Sequence, residues 1–238
     1  MKVGIMQPYL FPYLGYFQLI KAVDTFVVYD DVQYIKKGWI NRNQILLNGK
    51  PLLFTFGVKK DSSLMNINQR IYSEDKFYLL KDNFLQTLYR SYHKAPFFKE
   101  VNDLIDDIFT YESLNVSDFN TNSLKKICDY MNIQTPFLLS SSLEKTDGMK
   151  GQEVIIEINK KLKSDCYINA IGGRDLYSTK KFRENGISLR FIKMGDIHYN
   201  QFDNEFIPNL SIIDVLMFNS KEQIQRMLNN YELVSNDE

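Results

Sequence analysis

Cysteine and histidine are scarce in this chain, with two of each in 238 residues. Cys128, Cys166, His93 and His198 stand apart, with none of the close spacings that gather ligands around zinc. Cys166 has no neighbouring histidine and lies in an apolar stretch, which argues against a nucleophilic thiol. Both cysteines read as buried free thiols. With no signal peptide in view, and a first segment that reads as a core strand, they point to a reducing cytoplasm. Lys plus Arg balance Asp plus Glu at 29 each. A broad basic face for duplex nucleic acid is therefore excluded, though a local cationic patch is not. No apolar run approaches the roughly 20 residues of a membrane span. There is no P-loop, no recognisable catalytic triad, no repeat, no low-complexity segment and no linker. Tryptophan occurs once, as Trp39, against 15 tyrosines.

What is present suits an ordinary folded domain. Hydrophobic residues make up 44% and charged residues 24%, enough for one sizeable core. The first 43 residues carry the most information. An apolar run at 3–6 stops at Gln7-Pro8, a Pro- and Tyr-rich loop covers 8–13, and an apolar helical stretch covers 16–23. A second apolar run at 25–29 ends in Asp30-Asp31. In such strand–helix–strand units, polar groups at the carboxyl ends of the strands face the ligand crevice. Gln7, Asp30, Asp31 and Gln33 occupy those positions. Lys36, Lys37, Trp39, Asn41, Arg42 and Asn43 follow at once, a density of cationic, polar and aromatic side chains that packing alone does not require.

The spacing predicts three helices in the middle of the chain, at about 75–91, 96–109 and 117–131. Asn48-Gly49 between apolar runs predicts a turn; the flanking runs read as a hairpin or as a short helix entering a strand. The later part alternates again, with strands at 137–141, 165–170 and 187–193 and helices at 151–163 and 174–184. Closing helices are expected at 211–218 and 221–233. This alternation predicts an α/β fold with a mainly parallel, Rossmann-like sheet and right-handed crossovers. Residues 1–238 read as a single α/β domain with a helical insertion near 75–133. Strands from both ends should share one sheet.

QPYLFPYLGYFQLI and YDDVQYIKKGWINRN near the start, HKAPFF at 93–98, FNTNSLKKICDYMNI at 119–133, YINAIGGRDLY at 167–177 and QFDNEFIPNLSIIDVLMFNS at 201–220 together resemble the WbqC-like family of bacterial surface-polysaccharide clusters. The resemblance covers nearly the whole chain. It implies a part in O-antigen or related glycan biosynthesis, acting on a dTDP- or UDP-linked amino sugar. The expected step is acyl or aminoacyl transfer onto the sugar amine.

Several motifs carry two readings. Tyr13-Leu14-Gly15-Tyr16 sits where nucleotidylyltransferases of the H-x-G-H class place their signature, and Gly172-Gly173-Arg174-Asp175 is similar to that class's later G-x-D. Tyr cannot supply the positive charge of the two replaced histidines, and Gly15 reads equally as a tight turn. Adjacent Asp30 and Asp31 point to opposite sides of a strand, so one of them faces the crevice as a base or a hydroxyl acceptor. An Asx turn is the other reading. Lys36, Lys37, Trp39 and Arg42 match a diphosphate and a stackable base, or form a solvated loop. Asn169, Gly172 and Gly173 expose amides to a ligand, or make a plain turn. Gln201, Asn204, Ser211 and Asp214 cluster late in the chain, with Ser211–Asp214 reading as a capping box.

In the glycan reading, Lys36, Lys37, Trp39 and Arg42 hold the nucleotide, and Gln7, Tyr13, Tyr16, Gln33 and Asn41 complete the substrate contacts. Asp30 or Asp31 is the base, His93 is a further acid–base candidate, and amides of Asn169, Gly172 and Gly173 meet a carbonyl or phosphate. Gln7, Asp30, Arg42 and Gly172 should then converge on one cleft. ATP or an acyl donor is the candidate cofactor, an acyl carrier a candidate partner, and no metal is expected. ATP-dependent nucleotidyl or adenylate chemistry and non-catalytic sugar-nucleotide binding remain as alternatives. Dialysed protein should carry no stoichiometric zinc by elemental analysis; one zinc retained per chain overturns the metal-free reading.

Overall fold

The computed structural model describes residues 1–203 and 205–235, so Asn204 lies outside the described residues. Its centre is a six-stranded sheet ordered β5-β2-β1-β6-β7-β8, comprising β1 (Lys2–Met6), β2 (Thr25–Val28), β5 (Phe137–Leu139), β6 (Cys166–Ala170), β7 (Ser188–Met194) and β8 (Tyr231–Val234). All neighbours pair parallel except β7 with β8. The first strand is the middle of the sheet. It pairs with β2 at Val3↔Thr25 and with β6 at Val3↔Tyr167, so strands from both ends share one sheet.

Alternation along the strands explains why both faces are covered. Val3, Ile5, Val27, Tyr167, Leu189 and Phe191 face one way, into a core completed by α5 (Gln152–Lys161) and α6 (Thr179–Glu184). Phe26, Val28, Ile168 and Ile192 face the other, against α1 (Leu14–Ala22), α7 (Ile212–Phe218) and α8 (Lys221–Leu228). A sheet buried on both faces needs the near-continuous apolar runs seen in the sequence. Strand order reverses between β1 and β6, and ligands bind at such a reversal, outside the carboxyl ends of the strands.

Residues 42–55 form the hairpin, not the helix–strand alternative. β3 (Arg42–Leu47) and β4 (Lys50–Thr55) pair antiparallel as a separate two-stranded sheet. Asn48 and Gly49 turn the chain with φ of 50° and 69°, the backbone that a two-residue hairpin demands. α2 (Glu74–Tyr92), α3 (Phe98–Ile108) and α4 (Val116–Tyr130) lie between this hairpin and β5. Phe54 and Phe56 of the hairpin segment pack on Phe77, Phe84 and Phe109, with ring centroids 4.6 Å apart for Phe54–Phe84 and 5.5 Å for Phe56–Phe109. Phe11 joins this cluster at 6.0 Å from Phe84.

Three boundaries differ from the sequence reading. The last helix ends at Leu228, and Tyr231–Val234 becomes an antiparallel edge strand, because Asn229-Asn230 stops the helix and four residues then pair with β7. The stretch expected as helix from 174 is a short 3-10 turn over Ile171–Leu176. α6 begins only after Ser178, whose side chain accepts from Lys181 N. α4 starts one residue earlier than expected, at Val116, and is capped by Asn115, which accepts from Ser117 N and Asp118 N. Among the described residues no helix is long and apolar enough to cross a membrane.

The expected capping box at 211–214 is only half formed. Ser211 does cap α7 through Ile213 N. Asp214 turns inward, is 0% exposed, and accepts from Tyr199 Oη at 2.7 Å, Gln201 Nε2 at 2.7 Å and Tyr92 Oη at 2.8 Å. Tyr92 Oη in turn accepts from Leu46 N at 2.7 Å. One carboxyl thus joins α2, β3, α7 and the 199–201 segment. Burial and the nearby carboxylate push both phenols up, so they stay protonated and donate. Burial also outweighs the three donors at Asp214 and holds its carboxyl above the ordinary range. The unfolded chain therefore releases this proton first. The stability tied to this group is full below the ordinary aspartate value of about 3.9 and is lost as pH rises through the folded-state value. Asp214→Asn removes that titration. The melting temperature of the native protein, measured relative to Asp214→Asn, should fall as pH rises from 4 to 7; a flat or rising difference contradicts the assignment.

Candidate active-site cleft

A cleft of about 450 Å³ opens at the carboxyl edge where strand order reverses. The β1–α1 loop contributes Tyr9, Pro12 and Tyr13, and α1 contributes Gln18. The hairpin and its approach contribute Asn43 and Trp39. Ile171 and Gly172 come from the end of β6, Ile192, Lys193 and Met194 from the end of β7, and Asn209 from the segment before α7. The walls are mostly apolar, with a few polar groups set among rings, as in sites for small organic ligands. A polar groove of about 650 Å³ lies at the opposite edge of β6 and β7, away from the strand ends where α/β sheets bind ligands.

The β1–α1 loop is held open by a local clamp. Phe11 has φ of 46°, a left-handed backbone that costs an aromatic residue about 1–2 kcal/mol. Its carbonyl accepts from Asn43 Nδ2 at 2.7 Å and from Ser211 Oγ at 2.8 Å. Two buried hydrogen bonds of about 1 kcal/mol each offset that strain. Ile212 N also donates to Pro12 O at 2.8 Å. Tyr13 folds its ring back over Gly15, where a Cβ would lie 2.4 Å from a ring carbon. Close approach of the ring, not turn geometry, is what requires glycine there.

Gln18 is 0% exposed. Its Nε2 donates to Met227 O at 2.8 Å and Asn230 O at 2.9 Å, which fixes the amide's orientation. Its Oε1 has no partner, and leaving such an acceptor unmet costs about 1–3 kcal/mol. Burial raises the Tyr9 and Tyr13 phenols, so both enter the cleft uncharged. Trp39 is 46% exposed, with the Arg42 guanidinium 5.6 Å from its ring centre.

Of the residues expected to converge, only Tyr13, Trp39 and Gly172 line this cleft. Gly172 lines it without the other three residues expected beside it, Gln7, Asp30 and Arg42. Tyr16 is a core residue whose Oη donates to Gln7 O at 2.7 Å. Asp30 is 2% exposed; it accepts from Ser141 N at 2.9 Å, Ser141 Oγ at 2.6 Å and Asn68 Nδ2 at 3.3 Å. That occupancy gives it the task of joining the ends of β2 and β5. Asp31 pairs with Lys145 at 2.6 Å. Gln33 is exposed and donates to Ser63 O at 2.8 Å. Asn41 is buried, accepting from Tyr34 Oη at 2.8 Å and donating to Phe56 O at 2.6 Å. His93 is exposed at the end of α2, stacked on Tyr89 at 5.0 Å. Asn169 is buried, with Oδ1 accepting from Ala170 N at 2.8 Å. Cys128 is buried as expected, whereas Cys166 is partly exposed. Among the described residues no group of three or more His, Cys, Asp or Glu could hold a metal.

Lys36, Lys37, Asn41 and Arg42 line a different recess, of about 430 Å³, with Tyr34, Lys59, Lys60, Asp61 and Arg70. Arg70 is 4% exposed. It donates to Ser62 O at 3.0 Å and Lys59 O at 3.2 Å, and lies over the Tyr34 ring at 5.0 Å. Its Nε has no partner, and no carboxylate pairs with it among the described residues. Burying an unpaired cation costs several kcal/mol, and two carbonyl bonds recover only part of it.

Sequence reasoning missed Gln18, Lys193, Asn209 and Arg70 and gave Asn43 no role of its own. A signal existed for Gln18 alone: a lone amide inside an otherwise apolar helix, LGYFQLI.

The family model described as the WbqC-like protein family matches residues 7–226. Among curated proteins, the uncharacterized protein Rv1507c of Mycobacterium tuberculosis is 29% identical over 222 residues, covering 90% of this chain and 92% of that one. No solved structure matches.

The two glycines after β6 should respond in opposite ways. A Cβ at Gly173 would lie 2.5 Å from Asn169 Nδ2, whereas one at Gly172 meets nothing within 4 Å. Gly173→Ala should lower stability by about 1–3 kcal/mol through overpacking, and Gly172→Ala should change it by less than about 0.5 kcal/mol. Denaturant melts of both variants check this; equal losses would refute the packing difference.

Proposed function

The chain belongs to the WbqC-like protein family, and from that premise we propose that its carboxyl-edge cleft binds a nucleotide-linked amino sugar for acyl or aminoacyl transfer onto the sugar amine. The observation that carries this reading is the ring-lined, largely apolar cleft at the sheet's reversal point. Sugar faces stack on aromatic rings, and sugar hydroxyls or an amine would meet the exposed amide of Asn209 at the cleft wall. The substrate class is what the resemblance to the WbqC-like family implies.

The cleft's contribution to such a transfer would be positioning. Apolar walls exclude water, which protects an activated acyl group from hydrolysis. Orienting the amine against a carbonyl supplies part of the barrier reduction without a strong base. Lys193, at the end of β7, brings an ammonium donor that would steady a developing oxyanion. Asp30 is occupied by Ser141 and Asn68, and Asp31 by Lys145. The acyl donor, with ATP or an acyl carrier behind it, and a cytoplasmic setting belong to the same proposal.

One observation favours a second reading. Among the described residues no carboxylate or imidazole lines the cleft, which suits a sugar-nucleotide-binding protein without chemistry of its own. The kinship with H-x-G-H nucleotidylyltransferases finds less support, because the Tyr16 hydroxyl is committed to Gln7 O inside the core.

Trp39 is the chain's one tryptophan, so its emission reports on the cleft. Titration with UDP- or dTDP-linked amino sugars should give a saturable emission change. Gly172→Ala should weaken that binding about tenfold, which is about 1.4 kcal/mol, with the melting temperature unchanged. Mass spectrometry of the sugar after incubation with acyl donors separates the readings: a mass gain on the amine supports transfer, and binding without it supports the binding-protein alternative. No saturable change with any of these ligands removes the sugar-nucleotide assignment.

A further inference from the structure

We propose that the recess around Arg70 is a second binding site, selective for phosphate oxyanions. It shares no lining residue with the cleft, so it stands or falls apart from the reading above.

Six cationic side chains line it, Lys36, Lys37, Arg42, Lys59, Lys60 and Arg70, against one carboxylate, Asp61. None of the six forms an ion pair among the described residues. In a chain with no net charge, that concentration is a local choice. Charged side chains facing one cavity without counter-ions repel one another, and an anion relieves this. The deepest of them, Arg70, is buried with an unpartnered Nε. Two of its four terminal N–H groups donate to the carbonyls of Ser62 and Lys59, and with the Tyr34 ring they hold its plane in place.

Arg42 is held as firmly. Its Nε donates to Gly38 O at 2.9 Å, a terminal nitrogen donates to Lys37 O, and its plane lies over Trp39. Two guanidiniums already fixed in place lose little freedom when a ligand arrives. Guanidinium forks match phosphate oxygens in bidentate fashion, and the exposed lysines add point charges at the rim. A recess of about 430 Å³ admits a diphosphate. Multiple positive charges favour a polyvalent phosphate over a monovalent carboxylate.

That phosphate has two sources: the diphosphate of a nucleotide-linked ligand reaching past Trp39 from the cleft, or a free inorganic anion. The probe is inorganic pyrophosphate, followed by calorimetry on the full chain at low and high salt. Pyrophosphate should bind at a single site, more weakly at high salt. Arg70→Lys keeps the charge but removes the fork, and should weaken binding at least tenfold. Since a buried arginine also supports its own loop, the exposed double variant Lys36→Gln/Lys60→Gln is the second test. It should weaken binding severalfold with an unchanged melting temperature. Competition between pyrophosphate and the sugar nucleotide identifies the diphosphate as the source; simultaneous binding identifies a free anion. Absence of pyrophosphate binding, or affinity unchanged in both variants, overturns the proposal even if the cleft binds its sugar.

Discussion

The arrangement of loops at the carboxyl edge depends on one buried amide. Asn120 of α4 is 0% exposed. Its Nδ2 donates to Pro8 O at 2.9 Å and to Ile40 O at 2.7 Å, and its Oδ1 accepts from Tyr72 Oη at 2.7 Å. Leu10 N donates to the same Ile40 carbonyl at 3.0 Å. The loop after β1 and the segment carrying Trp39 are therefore fastened to a helix that follows them by 112 and 80 residues in the chain. In a dry core a fully satisfied amide holds its partners firmly, because releasing any one leaves an unmet polar group. With the direct Leu10–Ile40 bond it sets the separation of Tyr9 and Trp39, and so the width of the cleft between them.

The same edge separates two chemistries. The cleft is apolar and ring-lined. The neighbouring recess is cationic, with an unmet guanidinium donor at Arg70. Between them stands the Trp39–Arg42 pair, whose indole faces the cleft and whose guanidinium belongs to the recess. A nucleotide-linked sugar is itself divided in this way, with a stackable ring and hydroxyls at one end and a diphosphate in the middle. The hairpin carries both members of the pair's surroundings, and its aromatic packing on α2 and α3 gives it a rigid base.

Much of the fold was legible because it follows from local pattern. Apolar runs at 3–6, 25–29 and 187–193 became strands buried on both faces, and Asn48-Gly49 became the hairpin turn. Failures fell where tertiary contacts overrode the pattern. Residues 231–233 read as the tail of a helix but belong to the edge strand Tyr231–Val234. Asp214 looked like a capping residue and instead became the buried acceptor for three donors. Asp30, at a strand's carboxyl end, had the position expected of a base, yet the end of β5 arrives with Ser141 and occupies it.

By itself the sequence determined the strand-and-helix alternation, the N-terminal segment as a core strand, and the family. These depend on hydrophobic period and on strings of residues that are contiguous in the chain. Only the tertiary structure decided which polar groups share a cavity. Lys36, Lys37 and Arg42 lie within six residues of Trp39 in sequence, yet they face Lys59 and Arg70, while Trp39 faces Tyr9, Gly172 and Asn209. Neighbours along an irregular segment point in different directions, set by backbone turns such as the positive φ at Lys37. The groups opposite them come from distant strands and loops, whose placement rests on long-range hydrogen bonds and packing that no local pattern records.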